Sequence, residues 1–555
     1  MAGDNQGGEK NKKNRRNQLS LTPGVVGLFE TAYAQHKEKQ SKSGDNEPKI
    51  KVSTAISKLS FYYEKIRNAV DYKDEYLLRK TAIERILKRQ IIIESVLQPA
   101  KSSKIAQHLM IELIRGEYLA NNSVPEKKID EVAKVVQKYI KLHNKAIRGS
   151  LASKRNKELS DWIIALMASE IEEELGRDKV VEKAISFMFQ VLRDKVILPD
   201  DADYNQNKDI QIYVSIYRTF LKFDTDMVSF ILFKSAVDSW KNAGEETIEK
   251  TARELDSIRA TIENQVNSPI SNKLKRVISR YTVFFEILTE VIKKDPVKAY
   301  SKASRDPDSF REMIRESCRK KYETVRAKIW RASFRSIVYI FITKSLLVFA
   351  LEIPVINLLG ESVNYISLAV NIGFPPLLLF SIIMTTKTPT SRNTQKIIEG
   401  IEGLVHPGKE VQAYRLRTSA LRGKTLNTVF GIIYLGTFLI TFGGIVWILN
   451  MIGFHFVSIV IFLFFLALVS FFSARIRKKA HELMVVEPKE SIFRLFTDFF
   501  YTPVLAAGKW LSENFSKLNV FVIVLDFIIE APFKFFVEAT EEWSKYVKER
   551  REEIE

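Results

Sequence analysis

Four apolar runs free or nearly free of charge constrain this chain most, because about 18 or more such residues in sequence are the signature of a membrane-crossing helix. The first, 337–359, is interrupted by Lys344, Glu352 and Pro354. The second, 366–385, has no charge but holds Gly373, Pro375 and Pro376, and the two prolines predict a kink at mid-depth by withdrawing backbone hydrogen bonds. The third and fourth, 428–450 and 454–474, are uncharged throughout, and Met451-Ile452-Gly453 between them predicts a tight reversal. At ~1.5 Å per residue each run reaches across a ~30 Å hydrocarbon layer.

Composition supports an all-α fold. Gly at 22 and Pro at 16 are few for 555 residues, which excludes collagen-like and low-complexity classes. A length of 555 exceeds one core, so the chain is read as several parts. These are a flexible basic tail at 1–50, a helical domain with a basic juxtamembrane helix at 51–335 and a first transmembrane hairpin at 336–385. A basic loop at 386–427, a second hairpin at 428–474 and amphipathic helices with a charged tail at 475–555 complete the chain.

Orientation follows from the Lys/Arg bias of the short loops, since cytosolic loops hold the excess. Residues 301–335 carry a net charge of +6, with Arg319, Lys320, Lys321, Arg331 and Arg335 next to the first run. The link to the second run holds Glu352 and Glu361 and no basic residue, and residues 386–427 carry a net charge of +5. The fourth run ends at Arg475, Arg477, Lys478 and Lys479. These loops alternate in sign, which predicts a multi-pass protein with both termini cytoplasmic and with the named basic residues meeting anionic headgroups. The first 20 residues are polar and show no secretory signal pattern, in keeping with a cytosolic N-terminus.

Residues 51–310 repeat apolar positions three and four apart, as in Leu59, Tyr62, Ile66 and Val70, and Pro/Gly breaks divide them into roughly eight helices. Basic residues exceed acidic ones over 51–150, whereas acidic ones prevail over 151–250, so a dipolar domain is expected. A basic face without a reader motif is weak evidence for nucleic acid, and none is assigned.

Motifs that carry chemistry fail on inspection. Asp201, Asp203, Asn205, Asn207 and Asp209 alternate like a calcium loop, but Gln206 stands where Gly is needed and Ile212 where Glu is needed. Gly423-Lys424-Thr425 ends like a phosphate loop, but Thr418 occupies the place of its first Gly. The single Cys318 excludes an internal disulfide, and no metal, cofactor or catalytic residue is assigned. Arg315, Arg319 and Lys321 near it would favour a thiolate, yet no base accompanies it.

Ionisable residues at membrane depth are functional candidates by default, which singles out Lys344 and Glu352. Eight residues apart at ~100° each, they fall about 80° apart on an α-helix, near one face but out of contact. Near the C-terminus, Asp526, Glu530 and Lys534 are spaced by four within an aromatic and aliphatic segment, a stripe suited to a helix lying in the interface. The leading functional expectation is a non-enzymatic, membrane-anchored scaffold that binds a protein partner through 51–310. The alternative is a transporter or channel subunit using Lys344, Glu352 and the Pro375-Pro376 kink, with homo-oligomerisation to complete a pathway. A lipid-modifying enzyme using Asp526 ranks third.

Overall fold

The computed structural model describes residues 19–42, 47–71, 77–93, 101–147, 153–176, 178–197, 207–360, 362, 364–386, 389–408, 414–415, 424–486, 492–517 and most of 539–553. The Asp526, Glu530 and Lys534 stripe, the Asp201–Asn205 stretch and most of the 409–423 loop lie outside them. The fold is all-helical, and its only strands among the described residues, Val196–Ile197 and Tyr414–Arg415, form one short parallel pair. The chain divides into two units: a first of residues 1–26, 283–412 and 417–519, and a second of residues 27–282, 413–416 and 520–555.

Helices of the second unit, in chain order, are α1 (Pro23–Lys42), α2 (Thr54–Asp71), α3 (Leu78–Lys88), α4 (Ser102–Arg115), α5 (Lys127–Ala146), α6 (Lys154–Gly176), α7 (Lys179–Lys195), α8 (Lys208–Phe220), α9 (Thr225–Ala236) and α10 (Glu245–Val266); α11 (Ser271–Lys294) begins there. With α12 (Pro296–Arg305), eleven described helices occupy the stretch for which the sequence predicted about eight. One extra break, at Leu221–Asp224, carries no Gly or Pro; it is made by Lys222 at φ 56° and by Asp224, whose carboxylate accepts the Met227 N–H as a cap. Helix α6 is the centre. Its residues 163–171 are buried on every face, as expected of a helix surrounded by neighbours, here α3, α5 and α9. Around it α5 turns Val132, Val135, Val136, Tyr139 and Leu142 inward at helical spacing.

The opposed charges of the two halves meet inside this unit. Arg79 pairs with Glu172 at 2.7 Å, Lys88 with Asp161 at 3.1 Å, Lys138 with Glu170 at 2.7 Å and Lys141 with Glu245 at 2.8 Å. Much of the charge difference along the chain therefore goes into ion pairs between helices rather than into an open dipole. The deepest is Lys80, 1% exposed, whose ammonium donates to Glu84 at 2.9 Å, Asp226 at 2.5 Å and Asp224 at 3.3 Å. Burial alone would lower its pKa, but the three carboxylates, Glu84 foremost, hold it above the usual lysine range. Helix α3 is thereby tied to the start of α9.

In the first unit follow α13 (Pro307–Leu347), α14 (Ile353–Leu358), α15 (Tyr365–Thr385), α16 (Ser391–Val405), α17 (Lys424–Met451), α18 (Phe456–His481) and α19 (Ile492–Lys517). Four helices are long and apolar enough to cross a membrane: Pro307–Leu358, Tyr365–Thr385, Thr428–Met451 and Phe456–His481. The most apolar stretch of α18 is 44% buried against 11% for that of α17, so α18 is the central helix and α17 a peripheral one. The first apolar run is not a separate element. It continues the charged helix that begins at Pro307, capped by the Asp306 side chain on Ser309 N–H.

Replacing Lys80 by Met should destabilise the second unit by about 2 kcal/mol near neutral pH, because three partly buried carboxylates lose their cation. A raised folded-state pKa means that this stabilisation is fully present below the unfolded lysine value of about 10.5 and fades as pH rises above it. Urea unfolding of wild type and variant between pH 7 and 11 measures both; an unchanged midpoint at pH 7 would contradict the assignment.

Candidate functional site

The two charges within the first apolar run are turned to one face by a break in helical register. Between α13 and α14, Val348–Glu352 forms one π-helical turn, which accommodates one more residue per turn than an α-helix. Eight residues that include such a turn advance like seven, so the offset of about 80° between Lys344 and Glu352 becomes about −20°. Both side chains then face inward, Lys344 0% and Glu352 1% exposed. Glu352, which the sequence places both inside the first apolar run and in the link that follows it, lies inside a helix that runs on to Leu358.

Glu352 is met by Asn371 on α15, whose side-chain amide donates to Oε1 at 2.9 Å and to Oε2 at 2.7 Å. Asn371 is itself fully buried, and its Oδ1 has no hydrogen-bond partner. Four residues on stands Pro375, which lacks the N–H that would bond the Asn371 carbonyl, so that carbonyl too is released from the helix. Pro375 and Pro376 are buried, and α15 continues through both. The predicted kink residues therefore belong to the same site as the charges.

Lys344 is held differently. Its ammonium donates a long hydrogen bond to the Ile461 carbonyl at 3.4 Å and lies 4.3 Å from the centroid of the Phe465 ring, both on α18. No carboxylate stands within 4.0 Å of it among the described residues. The site thus consists of an ammonium on a carbonyl and a ring, a carboxylate on an amide, and two Asn371 oxygens outside the helical bonding pattern. Asn371, Ile461 and Phe465 escaped sequence reasoning; the signal available for Asn371 was a lone amide four residues before a proline in an otherwise apolar run.

Around the site the helices are pinned at one end. Asn364 caps α15 by accepting from Ile366 and Ser367 N–H, and its amide donates to the Ile452 carbonyl at 3.3 Å in the turn before α18. Gly453 in that turn has φ 84°, and a Cβ there would lie 2.6 Å from Asn364 Nδ2.

The other residues singled out in the sequence lie elsewhere. Lys321 bonds Glu286 at 2.6 Å and Glu290 at 3.5 Å, and Lys320 bonds Glu316 at 2.7 Å. Arg319, Arg331, Arg335, Arg475, Lys478 and Lys479 are exposed, and Arg477 is half-buried. Cys318 is fully buried, which denies its thiol the accessible basic surroundings the sequence suggested. No group of His, Cys, Asp and Glu among the described residues is arranged to hold a metal.

A second concave feature lies within the second unit, a groove of about 940 Å³ lined by Lys128, Lys134, Lys138, Lys141, Lys179 and Lys241 together with four glutamates. At its base Lys138 donates to Glu170 at 2.7 Å and to the Trp240 carbonyl at 3.0 Å. The Trp240 indole donates to Glu170 Oε2 at 3.1 Å.

No family model matches the chain, and no curated protein or solved structure is similar to it.

Asn371→Leu should leave the buried Glu352 carboxylate without its donors and cost about 2 kcal/mol. The check is the thermal midpoint of the purified protein in mild detergent; a midpoint equal to wild type would show that Glu352 does not depend on Asn371.

Proposed function

We propose that this chain is a multi-pass integral membrane protein whose four crossing helices carry a proton-coupled pathway through Lys344, Glu352 and Asn371. The observation that carries the reading is the fully buried Lys344, which feels the Glu352 carboxylate electrostatically but forms no ion pair with it. A charge at membrane depth that is not held in a direct ion pair is costly and marks ion or proton pathways. Glu352 supplies a second charged group on the same face, and the Asn371 Oδ1 and the Asn371 carbonyl that Pro375 leaves unbonded are acceptors beside it. In this reading both termini and the helical region 51–335 are cytosolic, and the basic ends at Arg331, Arg335 and 475–479 meet anionic headgroups.

The test is a proteoliposome carrying an imposed pH gradient and a trapped pH indicator. Wild type should dissipate the gradient, and Lys344→Leu and Glu352→Gln should each slow that at least about tenfold, a loss of 1.4 kcal/mol in the barrier sense. Equal rates for variants that melt like wild type would remove both residues from any pathway.

The groove in the second unit favours a second reading, a membrane-anchored scaffold whose helical region binds a partner protein of mixed charge. Reversing Lys134 and Lys141 to Glu together should then abolish cross-links between groove residues and a near-stoichiometric partner in native membranes. Retention of those cross-links, or their absence from wild type, would defeat the scaffold reading.

A further inference from the structure

The acceptors beside Glu352 outnumber their donors. Both carboxylate oxygens are served by one nitrogen, Asn371 Nδ2, at 2.9 Å and 2.7 Å. Asn371 and Glu352 are both buried, and the Asn371 Oδ1 has no hydrogen-bond partner among the described residues. Pro375 and Pro376 stand four residues after Asn371 and Ile372, so the carbonyls of both lose the N–H that an α-helix would give them. The oxygens of Glu352, the Asn371 amide and these two carbonyls thus share a single donor nitrogen.

Positive charge is short there as well. Lys344 bonds the Ile461 carbonyl rather than Glu352, from about 12 Å away along the helix. Between Ile366 and Thr385 on α15, and between Phe456 and Ala474 on α18, there is no other titratable side chain. A water molecule would bring hydrogens to the spare acceptors but leave the carboxylate uncompensated. A metal cation meets both deficits, since hard cations take carboxylate, amide and main-chain oxygens as ligands. Carbonyls freed where a membrane helix is interrupted serve such ions. With one carboxylate and no second acidic group, the set matches a monovalent ion rather than a divalent one. The two ends of the Asn371 amide are alike in shape, so a half-turn of that group presents Oδ1 to an ion that Glu352 also holds.

We infer that Glu352, Asn371 and the carbonyls of Asn371 and Ile372 bind an alkali cation, sodium being the probe, in exchange for the proton of Lys344; the inference rests on the pathway reading above. One carboxylate compensates one positive charge in apolar surroundings, so the cation and the protonated Lys344 compete for it and each expels the other, the lysine's proton passing to water. Melting the purified full-length protein in mild detergent, in sodium chloride or in N-methylglucamine chloride of equal ionic strength, tests it. Wild type should melt higher in sodium, and the shift should grow with sodium concentration and between about pH 7 and about pH 9 as competition from the lysine's proton declines. Glu352→Gln should abolish the shift. Pro375→Ala returns an N–H to the Asn371 carbonyl without disturbing a helix, and should need at least about tenfold more sodium for the same shift. Equal wild-type midpoints in the two salts would leave the acceptors to water and overturn the inference. A sodium shift unchanged in Pro375→Ala would overturn it too, since the ion would then sit elsewhere. The proteoliposome assay, run in the same two salts, separates the readings. Equal dissipation of the pH gradient in both, with no sodium shift of the midpoint, defeats the cation site and leaves the pathway; no dissipation in either, with the shift present, defeats the pathway and leaves the cation site.

Discussion

A charge withdrawn from water must be met by an opposite charge or by hydrogen bonds, and the arrangement of both units follows from how that demand is satisfied. In the second unit the answer is cross-chain pairing. Basic residues of α3 and α5 reach carboxylates of α6, α9 and α10, so that Lys80, Lys138 and Arg79 lock helices far apart in sequence. Because each such lock needs both members in place, the helices it joins are ordered together. In the first unit the supply of charge is small, and the two charges that enter the first apolar run share one face of its helix, about 12 Å apart along it.

Facing them the same way requires the π turn. As a regular α-helix the Lys344–Leu358 stretch would point Glu352 about 100° away from its present direction, off the Asn371 amide and toward the apolar surface. The wide turn at Val348–Glu352 rotates it inward, where two hydrogen bonds receive it. The same helix extends without interruption from Pro307 and is anchored outside the apolar zone by Arg311 on Glu402 and by Lys321 on Glu286 and Glu290. One continuous element therefore carries both the buried site and its attachments to α11 and α16.

Much of the fold was legible because long apolar runs have few options. The second and third runs emerged as helices within a few residues of their sequence bounds, and the fourth as a helix that runs seven residues further, to His481. What escaped depends on contacts that no periodicity encodes. The π turn has no sequence mark, so the angle between Lys344 and Glu352 was misjudged. The break at Lys222 lies in a stretch without Gly or Pro and is stabilised by the Asp224 cap and by Lys80 from α3. The pairing of Tyr414–Arg415 with Val196–Ile197 joins residues more than two hundred apart. Lys344 and Pro375 were visible as anomalies, whereas the partners that make them a site are an amide, a carbonyl and a phenyl ring, common residues in apolar surroundings.

Two of the three buried lysines among the described residues, Lys138 and Lys344, form an internal comparison. Each ammonium bonds a backbone carbonyl, Trp240 at 3.0 Å for one and Ile461 at 3.4 Å for the other, and each lies over an aromatic ring, at 4.9 Å and 4.3 Å. Lys138 has in addition a carboxylate at 2.7 Å, the complement a structural buried lysine requires. Lys344 lacks that third element, although Glu352 stands on the same face of the same helix. Direct pairing would neutralise both and fix the packing of α13, α15 and α18. Instead the carboxylate is held by an amide that donates to both its oxygens, and the ammonium by a carbonyl and a ring. A lysine and a glutamate kept apart in this way are positioned by different neighbours, which a structural ion pair would not allow.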